Sequence, residues 1–276
     1  MCETEFLNLC KEILEEGEFV QDRTGTGIYY LFSPRTIRYD LTESIPCFTT
    51  KKIAWQNTIK ELLWFISGSS DSLILEQQGC NWWKGNTTRE FLDSRGLYHL
   101  PVGNIGKMYG YQWKKNNQLG KLIENIKSVK NGDFSNSRRL MMTAYVPEDL
   151  DQGVLEPCHT FIQCNVSQSK YLDLTLYQRS ADMFLGAQIN ILSYSIFTCM
   201  LADICGLQPR YFYHHLGNSH IYNNHVDQMQ QQIARIPGKL PKLTINHRDS
   251  IDDYVFSDFN IVDYNPQSAI KGQMAV

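Results

Sequence analysis

Several signatures are missing from this chain, and each absence bears on what it can do. No two cysteines stand in Cys-x-x-Cys spacing, and the eight present are scattered from Cys2 to Cys205. Neither a zinc cluster nor a disulfide framework is indicated, and a reducing, cytoplasmic setting fits best. No apolar run approaches the ~20 residues of a membrane span. The acidic start Met1-Cys2-Glu3-Thr4-Glu5 is unlike an export signal. Neither sign of charge dominates: the formal net charge is −3, which argues against a general polyanion binder and leaves room for a local basic site. Nucleic acid is therefore not a required partner. The pair His220 and His225 lacks the glutamate of a metalloprotease helix, so no metal is expected. There is no repeat, low-complexity tract or linker. What remains is a 276-residue chain, 42% hydrophobic, able to bury a large core and read as one domain over residues 1–276.

Apolar periodicity predicts a core-facing helix over 6–14, stopping near Gly17, then short strands at 28–31 and 36–39. A helix over 55–66 carries apolar residues on more than one face and should be largely buried. A short helix follows at 88–92, an amphipathic one around 122–129, and an apolar strand at 140–146. Residues 161–166 and 171–178 alternate around a Ser-Gln-Ser-Lys turn, which predicts a hairpin. A long apolar helix over 191–204 and a strand ending near Gly217 complete the pattern.

The chemistry concentrates on Glu156-Pro157-Cys158-His159 and Gln178-Arg179-Ser180-Ala181-Asp182. The hairpin brings Cys158, at the start of one strand, near Arg179, at the end of the other. A thiol beside a cation can serve as a nucleophile toward an electron-poor ring carrying an anion; taken alone, a Cys-His dipeptide is more often structural. Other positions have two readings. Asp22-Arg23-Thr24-Gly25-Thr26-Gly27 is a turn or an anion loop. Glu61, among large apolar groups, must be paired, protonated or chemically active. Arg138-Arg139 is solvated or binds phosphate, and Asn190 caps the long helix or has work of its own.

Taken together and in order, these stretches resemble the thymidylate synthase family across almost the whole chain. The resemblance rests on Asp22 to Gly27, Glu61-Leu62-Leu63-Trp64-Phe65, Tyr109-Gly110, Ser137-Arg138-Arg139, Pro157-Cys158-His159, Gln178 to Asp182, Leu185-Gly186, Asn190, His220-Ile221-Tyr222-Asn223-Asn224-His225 and the terminal Met274-Ala275-Val276. Residues 89–94 further resemble the family's eukaryotic and viral branches. The resemblance implies a single α/β domain around a large mixed sheet, acting as a homodimer with shared active sites. It also implies reductive methylation of dUMP by 5,10-methylenetetrahydrofolate. Cys158 would add to C6 of uracil. Arg179 would lower the thiol pKa and bind phosphate with Arg23, Ser180 and the partner subunit's Arg138 and Arg139. His220 and Tyr222 would hold the deoxyribose, and Asn190 would match N3–H and O4 of the base. Glu61 would move protons, supported by His159 and Tyr109. Asp182, Trp83, Lys51, Leu185 and Gly186 would meet the folate, and Val276 would close over both ligands.

Five positions depart from the family pattern: Lys84, Asn104, Lys107, Gln188 and Asn218. All lie where folate and the lid are expected. They keep open a phage-type deoxyuridylate hydroxymethylase, in which water quenches the same intermediate. A catalytically silent nucleotide- or RNA-binding relative is a further alternative, disfavoured because the nucleophile and the phosphate arginines are all present.

Overall fold

Helix α1 (Cys2–Glu16) turns Phe6, Leu9, Cys10 and Ile13 into the core at helical spacing and stops where the Gly17 N–H meets the Ile13 carbonyl. Its Glu3 is a buried carboxylate satisfied by the backbone N–H and hydroxyl of both Thr49 and Thr50, which pins the segment leading to Lys51. The structure, a computed structural model, describes residues 2–273. Met274, Ala275 and Val276, assigned above to a lid, lie outside the described residues.

Strands β1 (Glu18–Val20), β2 (Ile28–Phe32) and β3 (Ile37–Asp40) follow. Then come helices α2 (Trp55–Ser67), α3 (Leu73–Gln77), α4 (Arg89–Ser94), α5 (Tyr109–Lys114) and α6 (Gln118–Lys130). The second half contains β4 (Met141–Thr143), β5 (His159–Ser167), β6 (Tyr171–Asp182), α7 (Gly186–Ile204), β7 (Gln208–Tyr222), α8 (Val226–Ile233), β8 (Lys242–Ile245) and β9 (Phe259–Val262). A seven-stranded sheet runs β1-β2-β7-β6-β5-β4, with β3 also on β7, and β8-β9 form a separate pair. All of its pairings are antiparallel except β6 with β7, so it is the mixed α/β sheet expected. The helix linking that parallel pair is α7, the crossover such a connection requires. It packs on β6, β7 and α2. Apolar side chains surround it, including Ile191, Leu192, Ile196, Phe197 and Leu201, and the buried Thr198 hydroxyl turns back onto the Tyr194 carbonyl.

Several expectations need correction. Among the described residues α7 is long and apolar enough, by length and composition, to cross a bilayer, although its sequence suggested no run of that kind; 78% of the window is buried in this fold, which marks a core helix. It also begins at Gly186 rather than Ile191, so Asn190 lies inside its first turns and is not its cap. Strand β7 continues past Gly217 to Tyr222 because β2 and β6 both pair with its last residues, and Gly217 permits it: a Cβ there would stand 2.5 Å from the Arg179 carbonyl oxygen. The 140–146 strand shrinks to Met141–Thr143, since the Ala144 and Tyr145 N–H groups both bend onto the Thr160 carbonyl. Six elements, β1, α3, α5, α8, β8 and β9, were not announced by the sequence pattern.

Candidate active site

The hairpin register brings the first group together. His159 lies opposite Gln178, and the Arg179 N–H donates to the Cys158 carbonyl at 2.9 Å. The Arg179 guanidinium then folds back, donating to the Pro157 carbonyl at 3.0 Å and the Glu156 carbonyl at 2.8 Å. The cation is thus fastened to the backbone beside the nucleophile candidate. Burial pushes the Cys158 thiol above its ordinary value, while the positive charges of Arg179 and Arg23 pull it down. The expected lowering by Arg179 is present, but desolvation outweighs it.

Tyr109 receives the Cys158 backbone N–H on its hydroxyl at 2.9 Å. It opens α5 with φ of +30°, a strained conformation for a residue with a side chain. Gly110 makes the placement feasible: a Cβ there would come within 2.4 Å of the Phe65 carbonyl oxygen, so α5 could not otherwise sit this close to α2. The Tyr109 ring lies 4.9 Å from Phe65, 6.0 Å from Trp83 and 4.7 Å from His159, centre to centre.

Glu61, only 7% exposed on α2, accepts a 2.8 Å hydrogen bond from the Trp83 indole. Burial lifts its carboxyl to about 7, with that hydrogen bond acting in the opposite direction. This is the range in which an acid can both give and take a proton at neutral pH. Burial drives His159 down to about 4, against its hydrogen bond with Asn190, so its ring is neutral. Asn190, 8% exposed, accepts from the Gln178 amide at 3.0 Å.

A second group adjoins the first through Tyr222, whose hydroxyl is raised to about 12 by burial and by Asp182 and Asp22, and also feels Arg23 and Cys158. Its neighbour His220 faces Asp182 in the β6/β7 register and bonds the Asn218 amide oxygen at 2.9 Å. Ser180 is half-buried on the same strand. Asp182 is already partly used: its Oδ1 accepts from the Phe184 and Leu185 N–H groups and so shapes the turn into Gly186. Lys51, 6% exposed, donates to the Phe184 carbonyl and lies 4.0 Å over that ring. Burial lowers it to about 8, with Asp182 opposing. At the other end of the chain the Gln273 carbonyl bonds His225 at 2.8 Å, and Gly272 packs on Phe184.

Arg138 and Arg139 are exposed. A cavity of about 600 Å³ between residues 41–45, Asp203, Leu207 and Lys242 lies toward the other end of α7 and includes none of the predicted site residues. The chemistry, not this cavity, locates the site. No group of three or more metal-ligating side chains occurs among the described residues. Sequence reasoning did not assign roles to Gln178 or His214. Both follow leucine or phenylalanine on the inward face of a strand, after Leu174 and Leu176 and after Phe212. A polar residue continuing an apolar alternation was the available signal.

Comparison with known proteins follows this geometry. A family model described as thymidylate synthase matches residues 4–276. The chain is 41% identical over 296 residues to the thymidylate synthase of Saccharomyces cerevisiae, covering 99% of this chain and 97% of that protein. It is 40% identical over 309 residues to the Candida albicans thymidylate synthase, covering 99% and 98%. Similarity to the bifunctional dihydrofolate reductase-thymidylate synthase 1 of Arabidopsis thaliana, at 39% over 285 residues, covers 98% of this chain but 54% of that longer protein.

Proposed function

The chain belongs to the thymidylate synthase family and is a one-carbon methyltransferase, and we propose that it converts dUMP to dTMP with Cys158 as the nucleophile that adds to C6 of uracil. One observation carries this assignment: the Arg179 guanidinium is fastened to the Pro157 and Glu156 carbonyls beside Cys158, and its charge, with that of Arg23, acts on the thiol. A nucleophile and an anion-binding cation thus stand side by side. Because the resting thiol is raised, the addition draws on a small thiolate fraction, and its rate increases with pH as that fraction grows.

Arg23, Arg179, Ser180 and the partner subunit's Arg138 and Arg139 bind the phosphate; His220 and Tyr222 hold the sugar. Asn190 presents a donor and an acceptor to O4 and N3–H. Glu61, poised near neutrality, relays protons to O4 and from C5, with neutral His159 and Tyr109 holding that network. 5,10-Methylenetetrahydrofolate supplies the one-carbon unit and the hydride, leaving as dihydrofolate. The half-buried Trp83 ring, Asp182 and the Leu185-Gly186 turn suit a flat, partly polar ligand, with Lys51 acting through the Phe184 turn it holds. Val276 closes the site; the approach of Gln273 and Gly272 to His225 and Phe184 supports that reading.

The whole chain acts as one catalytic domain, cytoplasmic, in a homodimer that needs no nucleic acid. Dimerisation is supported by the outward sheet face, where Met141 and Phe161 are exposed and Phe161 stacks on Tyr177. Hydroxymethylation is the weaker reading, because the relatives above are named for thymidylate synthesis and the five departures are taken up by internal contacts. The deciding experiment incubates purified protein with dUMP and methylenetetrahydrofolate and identifies both products by mass spectrometry. dTMP with dihydrofolate is the expected result; hydroxymethyl-dUMP with tetrahydrofolate would overturn it.

A further inference from the structure

A chain of buried hydrogen bonds ends on the Asn190 amide, and its far end is a residue remote from the nucleotide. Gln178 donates from Nε2 to the Ser180 carbonyl at 3.0 Å and to Asn190 Oδ1 at 3.0 Å; its Oε1 lies 2.9 Å from His214 Nε2. A backbone carbonyl can only accept. The Gln178 atom facing Ser180 is therefore its amino group, and the opposite atom is its oxygen. That oxygen also only accepts, so His214 must carry its proton on Nε2. The second Gln178 amino hydrogen then requires an acceptor, which orients Asn190 with Oδ1 toward Gln178. The same Asn190 amide also meets the neutral His159 ring.

Resting on the dUMP reading above, we propose that His214 is a positioning residue for base selection: its Nε2–H fixes the Gln178 amide, which fixes the face that Asn190 offers to the pyrimidine. Uracil offers N3–H and O4, and so needs one acceptor and one donor in that order. Cytosine reverses both, with an unprotonated N3 and an amino group at C4. Turning the Asn190 amide over exchanges the two preferences. His214 suits the task because it cannot readily change its own state. It is 1% exposed, its ring stacks 5.6 Å from Phe212, and its Nδ1 is buried without a partner. Burial, followed by the neighbouring His159 and His215, lowers it to about 3, so it stays neutral throughout the working range.

The test measures dissociation constants for dUMP and dCMP, with dTMP formation followed in parallel, on the full-length protein and two variants. His214→Phe keeps a flat ring but removes the donor, leaving the Gln178 oxygen unsatisfied and its amide free to turn. The preference for dUMP over dCMP should fall about tenfold or more. His214→Gln retains an N–H near the position of Nε2 and should remain within about threefold of wild type. If His214→Phe weakens both nucleotides together and leaves their ratio unchanged, the residue is structural only and the proposal is overturned. Nitrogen-15 spectra of the histidines in the wild-type protein test it without a variant: an Nε2–H ring at His214 is expected, and an Nδ1–H ring overturns it. Failure of the underlying dUMP reading looks different, since the wild-type protein itself would then neither bind dUMP nor form dTMP.

Discussion

The nucleotide side and the folate side of this site are built differently. On the nucleotide side, Arg179 and Gln178 sit on β6, Asn190 on the core helix α7 and Cys158 immediately before β5, tied by hydrogen bonds that each serve a neighbour. The folate side draws more on short turns, where three of the five departures, Lys84, Asn104 and Lys107, fall between α3 and α5, while Gln188 lies on α7 and Asn218 on β7. Each has found a local partner. Lys84 lies 3.6 Å from Glu76, Asn104 accepts the Gly106 N–H, Lys107 pairs with buried Asp149, Gln188 exchanges hydrogen bonds with Gln232, and Asn218 holds His220. Polar substitutions on this side are thus engaged by protein rather than left to orient water. Whether it falls in a turn, on α7 or on β7, each changed side chain is absorbed by a hydrogen bond or ion pair with the protein.

This contrast can be broken or sharpened experimentally. The largest effect should come from Cys158→Ser, which should lower dTMP formation by roughly four to six orders of magnitude while calorimetry still detects dUMP binding. Substantial residual turnover would place the nucleophile elsewhere. Glu61→Gln should reduce kcat by about 10²–10⁴-fold and yet stabilise the protein at pH 8. Burial raises the folded-state carboxyl to about 7, above its ordinary value of 4.5. Its contribution is therefore fully present below about pH 4.5 and lost as pH rises through 7, a difference on the order of 3 kcal/mol. Thermal melts of both proteins from pH 4.5 to 8 should show the gain of the variant shrinking toward the acid end. An equal gain at every pH would contradict a raised Glu61.

Asn190→Asp should shift selection from dUMP toward dCMP by roughly 5- to 150-fold, read as a ratio of specificity constants. An unchanged ratio would leave Asn190 without a role at the base. If the phosphate site is shared, mixing inactive Cys158→Ser and Arg139→Ala proteins under exchange should restore up to roughly a quarter of wild-type activity through heterodimers with one good site. Heterodimers demonstrated by mass yet inactive would argue for self-contained sites. The smallest effect belongs to the folate side: Lys84→Ala removes an exposed ion pair and should cost less than about 1 kcal/mol in denaturant titration, with dTMP still the product. A switch to hydroxymethyl-dUMP would show that Lys84 governs access of water.

Much of this was legible before any coordinates. Helices α1, α2 and α6 and the β5-β6 hairpin follow from apolar spacing alone, because each has a face whose burial depends on local period. The hairpin also brought Cys158 and Arg179 together, since a short turn dictates its own register. Less legible was Glu61. Its apolar surroundings marked it as paired, protonated or active, but the Trp83 indole, distant in sequence, had to be placed before the partner was known. Of the two readings open for Asn190, the cap falls away because the Leu185-Gly186 turn, shaped by Asp182, lets α7 begin earlier.

The sequence by itself determined the long periodic elements, the inward face of the β5-β6 hairpin and the identity of the reactive groups, since these depend on side-chain chemistry and on neighbours a few residues away. Only the tertiary structure decided which groups meet and in what state. The parallel β6-β7 pairing places His214 behind Gln178, and the packing of α5 on α2 sets Tyr109 beneath Cys158. Burial, a property of the assembled fold, raises Glu61 and the Cys158 thiol and keeps His159 and His214 neutral. Desolvation and hydrogen-bond direction arise only when distant segments exclude water together.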